Sequence, residues 1–234
     1  PVGRDWLEAT VALVQRSMFS EQGAKVAFQF ETDLQTPART SVSGRFDAAE
    51  ILVGRTTIRQ TGGQFSYVNG QLRFQHMALI FNDEEFLRGA GTYDFRKKVA
   101  SGELGGSVSP VTVSRLSSGA TASVADYCQL SRPLGVKLLL HPSPLSWPDL
   151  HLEATFHGED LLVRDLPVAR LHIESTYQHR MLAVKSLDMT LSDSSAKEVL
   201  NGAFTWWVDE GAVAATLTGR VMMPQRLREL GLIM

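Results

Sequence analysis

The chain has almost no cysteine. Among its 234 residues only Cys128 carries a thiol, so no internal disulfide can staple it. A single thiol fits a reducing cytoplasm and equally a periplasmic protein that avoids cysteine. A dominant charge sign is missing too: 23 basic side chains stand against 25 acidic ones, a net charge of −2. There is no basic run, so the electrostatic footprint of a nucleic-acid surface is absent and no nucleic-acid partner is expected. No apolar run approaches the ~18–20 residues of a membrane-spanning helix. The longest, around VKLLL and AEILV, are strand-sized. The sequence also lacks G-x-S-x-G, H-E-x-x-H and any paired-acid constellation. Pro1 rather than Met opens it, which reads as a segment of a longer protein, so a missing leader or anchor says nothing about the parent.

What the sequence does contain is alternation. Hydrophobic residues at 44 % and charged residues at 21 % are ordinary globular composition. In QLRFQHMALIF (Gln71 to Phe81), Leu72 and Phe74 stand two apart, then Met77, Leu79 and Phe81 do, with one extra residue where the phases meet. The pattern returns 110 residues later in MLAVKSLDMTL. There Leu182 and Val184 match Leu72 and Phe74, and Leu187, Met189 and Leu191 match Met77, Leu79 and Phe81. Even the slip recurs, Lys185-Ser186 against Gln75-His76. The same offset carries Val26, Phe28 and Phe30 onto Val136, Leu138 and Leu140, and Phe46 onto Phe156. Self-similarity at one offset is the signature of repeated units.

The expected fold is mainly β with short helices, in two tandem helix-plus-antiparallel-meander repeats. Residues 1–112 form the first, 113–222 the second, and 223–234 begin a third, where PQRLREL resembles VTVSRL. RDWLEATVALVQRSM reads as a helix with Asp5 as N-cap and Glu8 completing a capping box; SVADYCQL reads as its counterpart. About six strands follow each helix. AEILVGRTTIRQ and LLVRDL are read as single strands, and Asn69-Gly70 as a type I′ hairpin. Gly62-Gly63, Asn82-Asp83 and Asp209-Glu210-Gly211 are read as further turns.

Several residues invite chemistry, and a plainer reading stands beside each. Cys128 falls where the other repeat has Met18, which favours packing over reactivity. His76, His141, His151, His157, His172 and His179 show no metal-ligand spacing and read as solvated strand residues. The acidic run Asn82 to Glu85 matches Ser192 to Ser195 and reads as a solvated turn rather than an acid/base pair or calcium loop. GAGT (Gly89 to Thr92) lacks the GK[ST] ending of a phosphate loop, and its glycines suit a strand. Trp206-Trp207 puts one ring on each face of a strand. No catalytic residue, metal or cofactor is expected, and no enzyme activity.

An antiparallel sheet with one apolar face must cover that face, by closing into a sandwich or by holding an apolar guest. The stretch from Gly44 to Phe95, GRFDAAEILVGRTTIRQTGGQFSYVNGQLRFQHMALIFNDEEFLRGAGTYDF, resembles the AsmA-like family of bacterial envelope proteins, relatives of the bridge-like lipid transfer proteins. The likeness lies in the Asn69-to-Phe74 ribbon and the Gly-rich strand Gly89 to Tyr93. The second unit repeats it more loosely, with Gln178-His179-Arg180 at the turn. The resemblance implies an elongated, curved, taco-like β-groove that holds the acyl chains of phospholipid or other lipids for transfer between membranes. It implies a periplasmic body anchored to the inner membrane through a segment absent here, and neighbouring repeats of the same chain as partners. The lining expected from the alternation is Val26, Phe28, Phe30, Leu72, Phe74, Leu79, Phe81, Val136, Leu138, Leu140, Leu182, Val184, Met189 and Leu191. Two other readings stay open: a closed-core structural or adhesive β-repeat, and an assembly factor for envelope β-proteins that works through strand edges.

Overall fold

The computed structural model describes residues 24–31, 41–53, 56–109, 111–112, 130–163, 166–191, 198–207 and 209–220. The two expected helices, Cys128 and the start of a third unit lie outside the described residues. Within them helix is almost absent; a 3-10 turn spans Trp147–Asp149, with Pro148 in its first turn.

Twelve strands make one sheet whose order follows the chain: β1 (Ala24–Glu31), β2 (Ser41–Val53), β3 (Thr56–Val68), β4 (Gln71–Ile80), β5 (Phe86–Asp94), β6 (Val99–Val108), β7 (Leu134–Ser143), β8 (Leu152–Val163), β9 (Leu166–Gln178), β10 (Met181–Leu191), β11 (Val199–Trp207) and β12 (Ala212–Arg220). The sheet is open, with β1 and β12 at the two ends of the order. The chain divides into two compact units, Pro1–Gly106 with Leu140–Leu145, and Ser107–Leu139 with Ser146–Met234.

In the first unit β1 to β5 are an antiparallel meander, and in the second β8 to β12 are another. The turns follow the local chemistry. Asn69 and Gly70 have φ of 53° and 84°, as a type I′ hairpin requires. His179 and Arg180 do the same work at 50° and 60° without glycine. At the β4–β5 turn Asn82 Oδ1 accepts from the backbone N–H of Glu84 and Glu85, at 2.9 and 2.7 Å. At the β5–β6 turn Asp94 Oδ1 accepts from the N–H of Arg96 and Lys97, at 2.9 and 3.0 Å.

Three expectations about strands are corrected. AEILVGRTTIRQ is not one strand: Val53 pairs with Thr56, so β2 ends and β3 begins inside it. LLVRDL is divided in the same way, with Val163 opposite Leu166. Gly62-Gly63 is not a turn but the middle of β3, where Gly62 pairs with Asp47 and Ala78. Composition alone read glycines as a break; the long flanking alternation, which continues through them, decides otherwise. The structure also shows left-handed residues inside strands, at Glu50 and Asp160, with φ of 52° and 51°. Around Glu50 the alternation shifts, so that Ala48 and Ile51, three apart, are both buried. Around Asp160 it shifts likewise, burying Gly158 and Leu161.

The extra residue in β4 is a bulge. The register to β3 shifts between Gly62 and Gln64, and that to β5 shifts between Phe74 and Met77. His76, with φ 52°, takes up the step. It keeps Leu72 and Phe74 on the same face as Met77 and Leu79, against the one-residue slip that would separate them. β10 has the same step between Val184 and Leu187.

Deleting His76 should therefore turn one half of β4 over. Two or more apolar side chains would face water, at about 1.5–3 kcal/mol for each fully buried one. With partial burial the expected loss is roughly 3 kcal/mol, read from urea denaturation. His76→Gly, which adopts the same φ readily, should stay within about 1 kcal/mol of the parent. The Lys97 N–H holds the exposed Asp94 carboxyl below its usual range. This lowered pKa stabilises the turn above the unfolded carboxylate range, and the contribution is lost as pH falls through the folded value. The Arg96 and Lys97 amide resonances should move together in that acid range, and Asp94→Ala should abolish the movement.

Candidate functional site

Cross-strand neighbours share a face, so the register converts the alternation into rows. In the first unit one row runs Phe30, Val42, Tyr67, Leu72, Tyr93 from β1 to β5. The next runs Phe28, Gly44, Phe65, Phe74, Gly91. A third joins Val26, Phe46 and Gly63, with Met77 and Gly89 beyond the bulge. The last holds Ala48, Thr61, Leu79 and Leu87.

The second unit has the same four rows across β8 to β12. They are Leu152, Tyr177, Leu182, Trp206, Val213; Ala154, Ser175, Val184, Phe204, Ala215; Phe156, Ile173, Leu187, Gly202, Leu217; and Gly158, Leu171, Met189, Leu200, Gly219.

The opposite face is polar. Arg45 stands by Gln64 and Gln64 by Gln75. Glu159 stands opposite Arg170, and His157 opposite His172. His172 also lies 3.3 Å from Glu174 Oε1. Trp206 belongs to the apolar face and Trp207 to the other, and both are exposed.

Glycines on the apolar face make room for rings. A Cβ on Gly44 would lie 2.8 Å from Phe65 Cζ and would collide with the Ala27 carbonyl oxygen. A Cβ on Gly63 would press on Phe46 at 3.3 Å. Aromatic side chains thus lie across the neighbouring strand's backbone instead of standing upright. Tyr67 and Tyr93 meet the Phe95 ring edge-on, with centroids 5.9 and 4.8 Å apart. Burial raises the pKa of the Tyr177 phenol.

Exposure grades across this face. Ala48 and Leu87 in the fourth row of the first unit, and Leu171, Met189 and Leu200 in that of the second, are buried. Leu72, Phe74, Leu79 and Leu182 are half-buried. Val26, Phe28 and Phe30 are open, at 57, 65 and 64 % exposure. Val136, Leu138 and Leu140 share one side of β7, with Val136 buried and the other two half-buried. Val184, Met189, Leu191, Phe81 and Val136 are 4–8 % exposed, so they are packed residues beneath the face more than open lining. Among the described residues the strands of each meander, β1 to β5 and β8 to β12, pack mainly against their neighbours along the ladder.

The acidic run is corrected in one member. Asp83 and Glu84 are exposed as expected, with Asp83 paired to Arg59. Glu85 is 7 % exposed and accepts from Asn82 Nδ2 at 2.7 Å, and its carbonyl accepts from the Phe81 N–H at 2.9 Å. Glu198 holds the same place before β11, 2 % exposed, with its carbonyl accepting from the Leu191 N–H at 3.0 Å. An ungapped offset aligned Glu85 with a serine and missed this. GAGT is a β5 segment, with Gly89 opposite Met77 and Gly91 opposite Phe74. Among the described residues no helix is long and apolar enough to cross a membrane. Comparison with family models, curated proteins and solved structures gives no match.

The Gly44 geometry sets a test of how the rows are held. Gly44→Ala must displace β1 or the Phe65 ring, at about 1–3 kcal/mol of overpacking. Amide exchange should accelerate in β1 and remain unchanged in β8 to β12.

Proposed function

We propose that the chain is a non-enzymatic lipid-handling segment of an AsmA-like envelope protein, and that its apolar sheet face holds acyl chains. The single observation that carries the reading is the pair of matching four-row apolar faces on an open sheet, graded from buried positions such as Leu171 and Met189 to half-buried Leu72, Phe74 and Leu182 and open Phe28 and Phe30. On this reading the chain is two copies of a six-strand meander. Left-handed positions spaced by 110, at Glu50 and Asp160, Asn69 and His179, and Gly70 and Arg180, support it, as does the bulge at the same place in β4 and β10. The rows form a curved groove in which alkyl chains lie across the strands.

The chemistry suits such a guest. Alkyl chains need contact area and no hydrogen-bond partner, and each buried CH₂ is worth about 0.8 kcal/mol. The rows offer rings, aliphatic side chains and glycine gaps, with no charged residue among them. Selectivity for a headgroup is correspondingly weak inside the groove. The place of action is the periplasm, with membrane anchorage outside this segment.

The test is photo-crosslinking with phospholipid vesicles. Photoreactive residues at Phe74 and Leu182 should form lipid adducts, while Arg73 and Lys185 on the polar face should not. Phe74→Asp should reduce adducts at Leu182 little and those of neighbouring Phe65 several-fold. No adduct at any position of the folded protein, or equal adducts on both faces, would falsify the lipid reading and leave a structural β-scaffold.

A further inference from the structure

We infer that one corner of the first unit, where the β3–β4 hairpin meets the β5–β6 turn, docks on an anionic lipid surface. The turn is Phe95-Arg96-Lys97-Lys98, and its three successive cations are all exposed. Three cations are too short a stretch to read as a nucleic-acid footprint. Beside an anionic bilayer each strengthens attraction roughly fivefold.

The corner is built as one piece. The Phe95 N–H donates to the Gly70 carbonyl at 2.9 Å, which ties the turn to the tip of the hairpin. The Arg96 side chain lies along Gly70, where an added Cβ would meet its Nε at 3.2 Å. Asp94 is the neighbouring acid, and its carboxylate is engaged on both oxygens. Oδ1 accepts from the backbone N–H of Arg96 and Lys97, and Oδ2 accepts from Gln71 Nε2 at 3.3 Å. Among the described residues none of the three cations makes an ion pair.

Rings stand where the cations stop. Tyr67 and Tyr93 flank Leu72 in the outermost apolar row, and both meet Phe95 edge-on. All three rings are half-buried. From the turn inward the side chains change from cation to tyrosine to leucine and phenylalanine. A bilayer changes in the same order, from headgroup through interface to acyl chain, and tyrosine suits its interface because one end is apolar and the other wet. An acidic protein would answer the cations alone; the graded row behind them favours a bilayer.

The second unit supplies a contrast. Its corresponding row end is also aromatic, with Tyr177 and Trp206 flanking Leu182. Its turn holds Asp209 and Glu210 instead of cations, and Arg180 is paired with Asp209 at 2.7 Å. Of the two corners, only the first joins rings to cations that lack an ion pair.

The test is flotation with phosphatidylcholine vesicles, made with and without phosphatidylglycerol. The chain should float with the anionic vesicles and not with the neutral ones. Raising salt from about 0.1 M to about 1 M, which shortens the Debye length from about 10 Å to about 3 Å, should release it. Lys97→Gln with Lys98→Gln should lower partitioning about 30-fold, at roughly fivefold for each lost cation. Arg59→Gln with Arg88→Gln removes the same net charge from exposed positions near the other end of these strands. That control lies beyond a Debye length from the corner and should stay within about twofold of the parent. On the unmodified chain, spin-labelled headgroups should broaden the amides of Gly70 and Phe95 to Lys98 and spare those of Asn82 to Glu85. Failure to float with anionic vesicles overturns the inference; so does an equal loss in both double variants, or broadening that spares the turn. Binding of poly-glutamate in place of vesicles also overturns it and assigns the corner to an acidic protein. The inference does not rest on acyl chains entering the face: flotation and lipid adducts at Phe74 are separate readouts, and either can fail alone.

Discussion

Everything in this sheet depends on phase. A strand presents alternate residues to opposite faces, so a slip of one residue exchanges the whole apolar set for the polar one. β4 and β10 are long enough, and their sequences irregular enough, that the alternation breaks in the middle of each. One added residue restores it, at His76 in β4 and between Val184 and Leu187 in β10. Without that step the rows could not run unbroken: Leu79 would leave Thr61 and Leu87, and Met189 would leave Leu171 and Leu200. The left-handed φ of His76 costs roughly 1–2 kcal/mol. Keeping several apolar side chains on one face exceeds that.

The sequence carried this feature well. The slip in QLRFQHMALIF and its return in MLAVKSLDMTL locate both bulges, because period-two patterning reports faces directly. The Asn69-Gly70 turn was legible for a chemical reason, since both residues tolerate positive φ. The β2–β3 connection was not. Gly54-Arg55 is an inconspicuous pair, while Gly62-Gly63 looks like a turn and is strand. Glycine there serves the neighbouring ring of Phe46, a tertiary reason that local patterning does not contain. Glu50 and Asp160 were also hidden, since a charged residue in an apolar run reads simply as a solvent-facing position. As for the candidate face, the alternation placed Leu72, Phe74, Leu182 and Val184 on it. It could not separate open lining from packed support, because Phe28 and Val184 look alike in sequence and differ tenfold in exposure, 65 against 6 %.

The glycines and the rings form one system. Along the row Phe28, Gly44, Phe65, Phe74, Gly91, bulky and bare positions are mixed, and rings settle over the bare ones. A uniformly large row would leave upright side chains with gaps between them, and a uniformly small row would leave little area to bury. The second unit solves the same problem differently. Ala154, Ser175 and Val184 fill the corresponding row with mid-sized residues, and Phe204 alone is large. The two units thus fill corresponding positions with different side chains, which packing tolerates where an apolar face is kept.

Face and edge make separate demands. A sheet can hide an apolar face from water with a guest that has no fixed shape, because dispersion and burial are non-directional. An edge cannot be satisfied that way. Its N–H and C=O groups point along the sheet and need partners at ladder spacing, which water or another strand can supply and an alkyl chain cannot. The open residues of this molecule divide along that line. Half-buried Leu72, Phe74 and Leu182 lie well inside the sheet, where only the face is available. Val26, Phe28, Phe30, Val213 and Leu217 lie on β1 and β12, the first and last of the described strands, and their side chains are open.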